Sequence, residues 1–260
     1  MIHDLRFALR MISSHRWFSA AVVATLALGI GLNTMIFTLV NAALFKPVPL
    51  PGGERLVAIS NQKLAQNSDR VGTSYPDFLE YRKQSSSFEA VEAATGEQAI
   101  VSERGNPPQA FDMNRVSSGL FDMLHIHPVL GRGFLPTDDK PGAEPVVLLG
   151  YGVWKDRYSS SPGILGHQVR VNEKPATIVG VMPAEFKFPS NAELWMPLVP
   201  TPELENRSNR WVQVFGILKS GVSIPQATAD LETIARRLAA AYPIENKGIS
   251  TIVQIGRAHV

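Results

Sequence analysis

Apolar and polar positions divide this chain unevenly. No charged residue occurs between Arg16 and Lys46, and residues 17–45 are dominated by Ala, Val, Leu, Ile, Gly and Phe. About 18 consecutive apolar residues suffice for a helix that crosses a bilayer. A core helix of a soluble protein rarely lacks a polar face over such a length, so the pattern predicts a transmembrane helix over residues 17–45. In lipid every backbone N–H and C=O must be bonded within the segment, which carries the helix through Gly29 and Gly31. Pro47, Pro49 and Pro51, followed by Gly52-Gly53, remove backbone donors and end it.

Beyond that boundary the pattern changes to short alternating runs. Leu56-Val57-Ala58-Ile59 reads as a strand, and Ser74 caps a helix with Pro76 in its first turn and Phe78, Leu79 and Tyr81 as apolar surface. Residues 99–102 and 110–116 flank the turn Arg104-Gly105-Asn106-Pro107-Pro108 as a hairpin, and residues 120–124 make a short helix. The apolar run 145–149 leads into helical spacing at Val153, Trp154 and Tyr158. A second hairpin joins residues 169–171 and 176–181 through Asn172-Glu173-Lys174-Pro175, and residues 211–218 form the last predicted strand. Ser223 with Gln226 three residues on is a capping box, opening a helix to about Tyr242 whose stripe is Ala227, Leu231, Ile234 and Leu238. Hairpins and helices without strict alternation predict a mixed α+β domain, organised as two subdomains, rather than a doubly wound parallel sheet.

Charge sets the orientation. Arg6, Arg10 and Arg16 precede the span and only Lys46 directly follows it, so the positive-inside rule places the amino terminus in the cytoplasm and the rest outside. Ile2, Leu5, Leu9 and Ile12 share one helical face, which suits a segment, residues 1–16, resting on the inner leaflet. A cleaved signal peptide is the rival, since Val40-Asn41-Ala42 offers small residues for cleavage; its apolar core would be far longer than the usual 7–15 residues, roughly, and the mass of the mature protein decides. Within the span Ala21, Thr25 and Gly29 recur every four residues, Ala27 and Gly31 repeat the spacing, and Asn33 and Asn41 are polar, a grammar that fits contact with other helices.

Composition narrows the chemistry. The 260 residues leave ample length for a folded domain of residues 46–254, and a net charge of +2 with 18% charged residues carries no nucleic-acid signature. With no cysteine, disulfides, thiolate metal sites and a cysteine nucleophile are excluded. The sequence has no G-x-x-x-x-G-K-[ST] loop, no G-x-S-x-G elbow and no H-E-x-x-H, so it is not itself an ATPase, and neither a catalytic residue nor a cofactor can be assigned. Gly29-Ile30-Gly31 sits in the span without a preceding strand and reads as helix packing. His125 and His127 lack a carboxylate at ligand spacing, Asp138 and Asp139 read as a solvated turn, and Gly131-Arg132-Gly133-Phe134 reads as a tight turn with a bulky anchor.

Leu5-Arg6-Phe7-Ala8-Leu9-Arg10, the stretch from Thr25 through Gly29-Ile30-Gly31 to Asn33-Thr34, and Val40-Asn41-Ala42 resemble the opening of MacB-like, FtsX-related ABC transporter permeases. Ser74-Tyr75-Pro76-Asp77, Leu130-Gly131-Arg132-Gly133-Phe134, Tyr151-Gly152-Val153-Trp154, Val179-Gly180-Val181-Met182-Pro183, Leu194-Trp195-Met196-Pro197 and Leu218-Lys219-Ser220-Gly221-Val222-Ser223 are similar to that family's periplasmic core domain. The resemblance implies a bacterial inner-membrane permease subunit that transmits motion from a cytoplasmic ABC ATPase partner, with other permease helices, membrane lipid and a periplasmic adaptor or envelope protein as further partners. It implies no nucleic acid, no cofactor and no catalytic residue. Full-length members have three further membrane helices, and residues 248–260 hold no span-length apolar run, so a fragment is expected, with residues 255–260 resembling translated adapter read-through. The alternatives are a self-sufficient bitopic protein whose outer domain binds a ligand or envelope protein, and an anchored hydrolase.

Overall fold

A computed structural model describes residues 16–44, 53–63 and 70–255. The first unit is helix α1 (Arg16–Leu44). Its segment Ser19–Phe37 is long and apolar enough to cross a membrane, and none of it is buried within the chain. At 1.5 Å per residue those 19 residues rise about 28 Å, close to the ~30 Å hydrocarbon core of a bilayer. The interfacial segment expected over residues 1–16 lies almost wholly outside the described residues, as does the proline-rich boundary at 47–51.

The remaining residues fold as a second unit. A 3-10 turn, Gly53–Arg55, leads into β1 (Leu56–Lys63), and β2 (Arg70–Val71) precedes α2 (Tyr75–Gln84). Then come β3 (Phe88–Glu103), β4 (Asn106–Val116), α3 (Leu120–Met123), β5 (Leu130–Gly131), β6 (Val146–Leu149) and α4 (Tyr151–Tyr158). After a 3-10 turn at Pro162–Ile164 follow β7 (Gln168–Val171), β8 (Lys174–Val181), β9 (Leu194–Pro197) and β10 (Gln213–Leu218). Last are α5 (Ile224–Ala241), α6 (Pro243–Asn246) and β11 (Ile249–Ile255).

Among the described residues the eleven strands share one sheet, in the order β11-β1-β10-β3-β4-β9-β6-β8-β5, with β2 on β1 and β7 between β3 and β8. Because β7 pairs with both β3 and β8, the pairs β3–β4, β4–β9, β9–β6, β6–β8, β8–β7 and β7–β3 close a six-stranded ring. Inward side chains fill it: Val101, Met113, Val147, Leu149, Val171, Ile178 and Leu194 are all buried. The other end of the sheet is a layer. On one face Phe78 and Tyr81 of α2 and the α5 stripe Ala227, Leu231, Ile234 and Leu238 cover Val57, Ile59, Val214 and Val253. Leu56, Ala94, Phe215 and Ile217 on the opposite face pack with Phe121, Phe186 and Trp195. Burial on both faces explains why residues 56–59 are a continuous apolar run rather than an alternating one.

The layer and the barrel are not separate bodies, since β3 belongs to both. Phe88 to Ala94 pair with β10, and Ala94 to Glu103 pair with β4. The local signals act as the sequence predicts at two helix starts: the Asp77 N–H donates to Ser74 Oγ at 3.3 Å, and the Ser223 N–H donates to Gln226 Oε1 at 2.8 Å. Elsewhere the expectations need correction. The turn between β7 and β8 is only Asn172-Glu173, both at positive φ (47° and 66°), and Lys174 and Pro175 already pair in β8. Asn106, Pro107 and Pro108, expected in a turn, belong to β4. The strand expected from Trp211 begins at Gln213, with Val212 only bridging Thr73. A further strand, β11, follows it and reaches Ile255, which pairs with Val57.

Candidate functional site

Two sets of residues bear on function: the surface of α1 and the buried polar ties of the outer domain. Along α1 all six residues predicted to pack against other helices, Ala21, Thr25, Ala27, Gly29, Gly31 and Asn33, are exposed. At about 100° per residue the series Ala21, Thr25, Gly29, Asn33 and the pair Ala27, Gly31 are centred about 160° apart, on nearly opposite faces. A Cβ placed on Gly29 or Gly31 would meet nothing within 4 Å, so a neighbouring backbone has room to approach. The Thr25 hydroxyl donates to Ala21 O at 2.9 Å and that of Thr34 to Ile30 O at 2.8 Å, so both are satisfied within the helix. The side chain of Asn41 lies outside the described residues.

In the outer domain, Asp77 in the first turn of α2 is completely buried. Its Oδ1 pairs with Arg207 Nη1, its Oδ2 accepts from Arg210 Nη1 at 3.0 Å, and Asn246 Nδ2 lies 3.0 Å and 3.1 Å from the two oxygens. Arg210 also donates to Glu245 O at 3.2 Å and Asn246 Oδ1 at 3.0 Å, while the Arg207 guanidinium stacks 3.8 Å above the Tyr242 ring. One carboxylate thus fastens α2, the segment before β10, and α6 together. Beside it the Tyr81 hydroxyl is 3.0 Å from Thr251 Oγ1 and 3.3 Å from Asn61 Oδ1, tying α2 to β11 and β1. Burial pushes this phenol up to about 12.

A second hub lies at the tip of the β3–β4 hairpin. The Glu103 side chain, 5% exposed, accepts from Arg157 Nε on α4 and from Asn106 Nδ2, both at 3.1 Å, and its other oxygen lies 3.1 Å from His167 Nε2. Burial alone would raise this carboxyl, but the hydrogen bonds from Asn106 and Arg157 outweigh it and hold it below the usual glutamate range. These ties fasten neighbouring elements to one another; none aligns a nucleophile with a base.

The sequence-derived candidates in the loops divide differently. His125 is exposed with φ 54°, His127 is also exposed, and among the described residues no three metal-ligating side chains come together. Asp138 is not the solvated residue expected. It is buried, its Oδ2 accepting from Arg132 Nη1 at 2.7 Å and from the Leu135 N–H at 2.8 Å. Asp139 Oδ2 accepts from the Ser118 N–H at 3.2 Å. The two carboxylates close the loop after β5 because its backbone donors have no strand partner. Gly131 has φ 78°, a side chain there would collide with Val179 O, and Phe134 is buried in the aromatic core, so Gly131-Arg132-Gly133-Phe134 shapes the fold as expected. Sequence reasoning passes over Asp77, Arg207, Arg210 and Asn246, which lie up to 169 residues apart and share no local motif.

Residues 19–234 match the MacB-like periplasmic core domain family. No curated protein matches the sequence. Three solved structures share the fold. A permease-protein domain from Porphyromonas gingivalis aligns at TM-score 0.62 and 14% identity, over 82% of this chain and 94% of its own. The periplasmic region of MacB from Actinobacillus actinomycetemcomitans aligns at 0.56 and 16%, over 76% and 88%. The extracellular domain of the noncanonic ABC-type transporter YknZ from Gram-positive bacteria aligns at 0.55 and 13%, over 76% and 99%. The family match spans most of the chain and includes the apolar part of α1, and the chain therefore belongs to the MacB-like periplasmic core domain family.

Proposed function

We propose that this chain is a permease subunit that carries motion, driven by ATP hydrolysis in a separate cytoplasmic ABC ATPase, from the membrane to a domain outside it. In this reading α1 spans the bacterial inner membrane with Arg6, Arg10 and Arg16 on the cytoplasmic side, and the basic leader supports that orientation. Neighbouring permease helices, from an identical or a different subunit, grip α1 along Ala21, Thr25, Gly29 and Asn33 on one face and Ala27 and Gly31 on the other. The outer domain moves as one piece and meets a periplasmic adaptor or envelope protein. A single observation carries the reading: an apolar helix with two open small-residue stripes precedes a family domain whose sheet is one continuous body.

No cysteine in these 260 residues competes with an introduced one. Thr25→Cys and Gly29→Cys, each introduced singly into the permease assembled with its ATPase in lipid, should form crosslinks to a neighbouring helix whose yield changes on ATP addition. Replacing Gly29 by leucine should abolish the crosslink from position 25. A helix that stays monomeric in the assembled complex overturns the proposal.

A further inference from the structure

Glu92 lies on β3 inside the outer domain and is 4% exposed. Its Oε2 is 2.5 Å from Ser117 Oγ, and its Oε1 is 3.0 Å from Arg82 Nη2 on α2, whose side chain is 40% exposed. Ser117 Oγ already accepts the Ala93 N–H at 2.8 Å, and Ala93 O already accepts the Ser117 N–H at 2.9 Å. A serine hydroxyl has one proton to give. With the carboxylate ionised, that proton goes to Glu92 and the largely hydrated Arg82 is the balancing charge. With the carboxyl protonated, Glu92 donates to Ser117 Oγ, and the hydroxyl turns toward Ala93 O at 3.2 Å. Both states are hydrogen-bonded, so the group can take up a proton without stranding a buried polar atom.

Other neighbours weigh against the ionised state. Asp139 Oδ2 is held by the Ser118 N–H, one residue from Ser117, and its Oδ1 is buried without a hydrogen-bond partner. The nearest cation to that oxygen, Lys140 Nζ, is 3.8 Å away on a side chain 70% exposed. Asp122 on α3 is a third carboxylate whose charge acts on Glu92, and burial, with the charge of Asp139 added, pushes up the Tyr75 phenol on α2. Gly119 is packed so closely that a Cβ there would lie 2.5 Å from Glu92 Oε1. Burial, then Asp139 and Asp122, push the Glu92 carboxyl above its ordinary 4.5, against the opposing pull of Ser117 and Arg82.

We propose that Glu92 is a proton-binding site built into the outer domain, joining β3 to the turn at residues 117–119 and to α2, and that mild acid strengthens the fold at this joint. A carboxyl that holds its proton more tightly folded than unfolded adds stability that is fully present below 4.5, where the unfolded chain is also protonated, and is lost as pH rises through the folded value. The proposal concerns the domain itself and stands whether or not the permease reading holds.

The test uses the full chain in lipid nanodiscs with carboxyl-13C glutamate, the Glu92 resonance being assigned by its loss in Glu92→Gln and, independently, by its displacement in Ser117→Ala. Its midpoint should lie above 4.5 and move higher in Arg82→Gln. Unfolding of the wild type should become harder between neutral pH and pH 5 relative to Glu92→Gln, which carries no titrating group there. A Glu92 midpoint at or below 4.5, or identical pH dependence of the two chains, overturns the proposal; if Glu92→Gln does not fold, the Ser117→Ala assignment and the titration of the wild type decide alone.

Discussion

Replacing Asp77 by asparagine keeps the volume of the side chain and removes its charge. The wild-type carboxylate has two oxygens for three donor groups, Arg207, Arg210 and Asn246, and is fully buried, with the two arginine side chains 13% and 8% exposed. An asparagine there offers one oxygen and turns an NH₂ toward donors, so at least one cation loses its acceptor in a desolvated site. Breaking a buried ion pair by removing one partner costs about 3–5 kcal/mol. Two residual contacts pull the value to the lower end: Arg210 keeps Glu245 O and Asn246 Oδ1, and Arg207 keeps the Tyr242 ring. We therefore expect a loss of about 3 kcal/mol for Asp77→Asn, and about 1–3 kcal/mol for Arg210→Gln, where Asp77 retains Arg207. The double variant should lose less than the sum by about 1–3 kcal/mol, since the residues share one network. Urea unfolding in mild detergent, followed by tryptophan fluorescence, measures all three. A loss below about 1 kcal/mol for Asp77→Asn, with additive single variants, would refute the assignment of this carboxylate as a structural hub.

The remaining predictions concern the core and a second tie. Trp195 is fully buried, donates through Nε1 to Phe188 O at 2.9 Å, and packs on Phe121 and Phe186 with ring centroids 6.2 Å and 5.5 Å away. Trp195→Ala should cost about 3–5 kcal/mol, and Trp195→Phe about 1–3 kcal/mol through the unpaired carbonyl; a negligible loss for Trp195→Phe in denaturant titration would mean the hydrogen bond contributes nothing. Asp230 on α5 accepts from the Ser86 and Ser87 N–H groups at 2.8 Å and 2.9 Å, and these bonds outweigh partial burial to hold its carboxyl below the ordinary 3.8. Its stabilisation is present above that value and lost as pH falls through the folded one, so Asp230→Ala should cost about 1 kcal/mol at neutral pH and progressively less in strong acid. A penalty unchanged down to pH 2 would contradict this.

Local features of the fold were legible in the chain because they are written in neighbouring residues. The Ser74 and Ser223 caps, the α5 stripe from Ala227 to Leu238 and the apolar run of α1 depend on spacing alone. The closure of the ring was not legible. It depends on Val101 meeting Val171 and on Met113 meeting Leu194 in a parallel pair, contacts between segments that carry no complementary local signal. The first half of β3 and all of β11 escaped notice for a related reason: Phe88 to Ala94 and Ile249 to Ile255 carry apolar residues without strict alternation or flanking turn signals, and become strands by pairing with β10 and β1. Among candidate residues, Asp138 was misread because acidic turns are usually solvated, whereas here Arg132 and the Leu135 N–H draw it inside.

The 16 residues of β3 serve both halves of the outer domain without a hinge between them. At about 3.3 Å per residue that strand is roughly 50 Å long. Tension applied along its axis puts the rungs to β10 and β4 in shear, where many hydrogen bonds resist at once, whereas a pull across the sheet would part them one after another. A domain hung on such a strut resists stretching best in the direction of its longest strand, and cutting the chain within it would sacrifice both ends together.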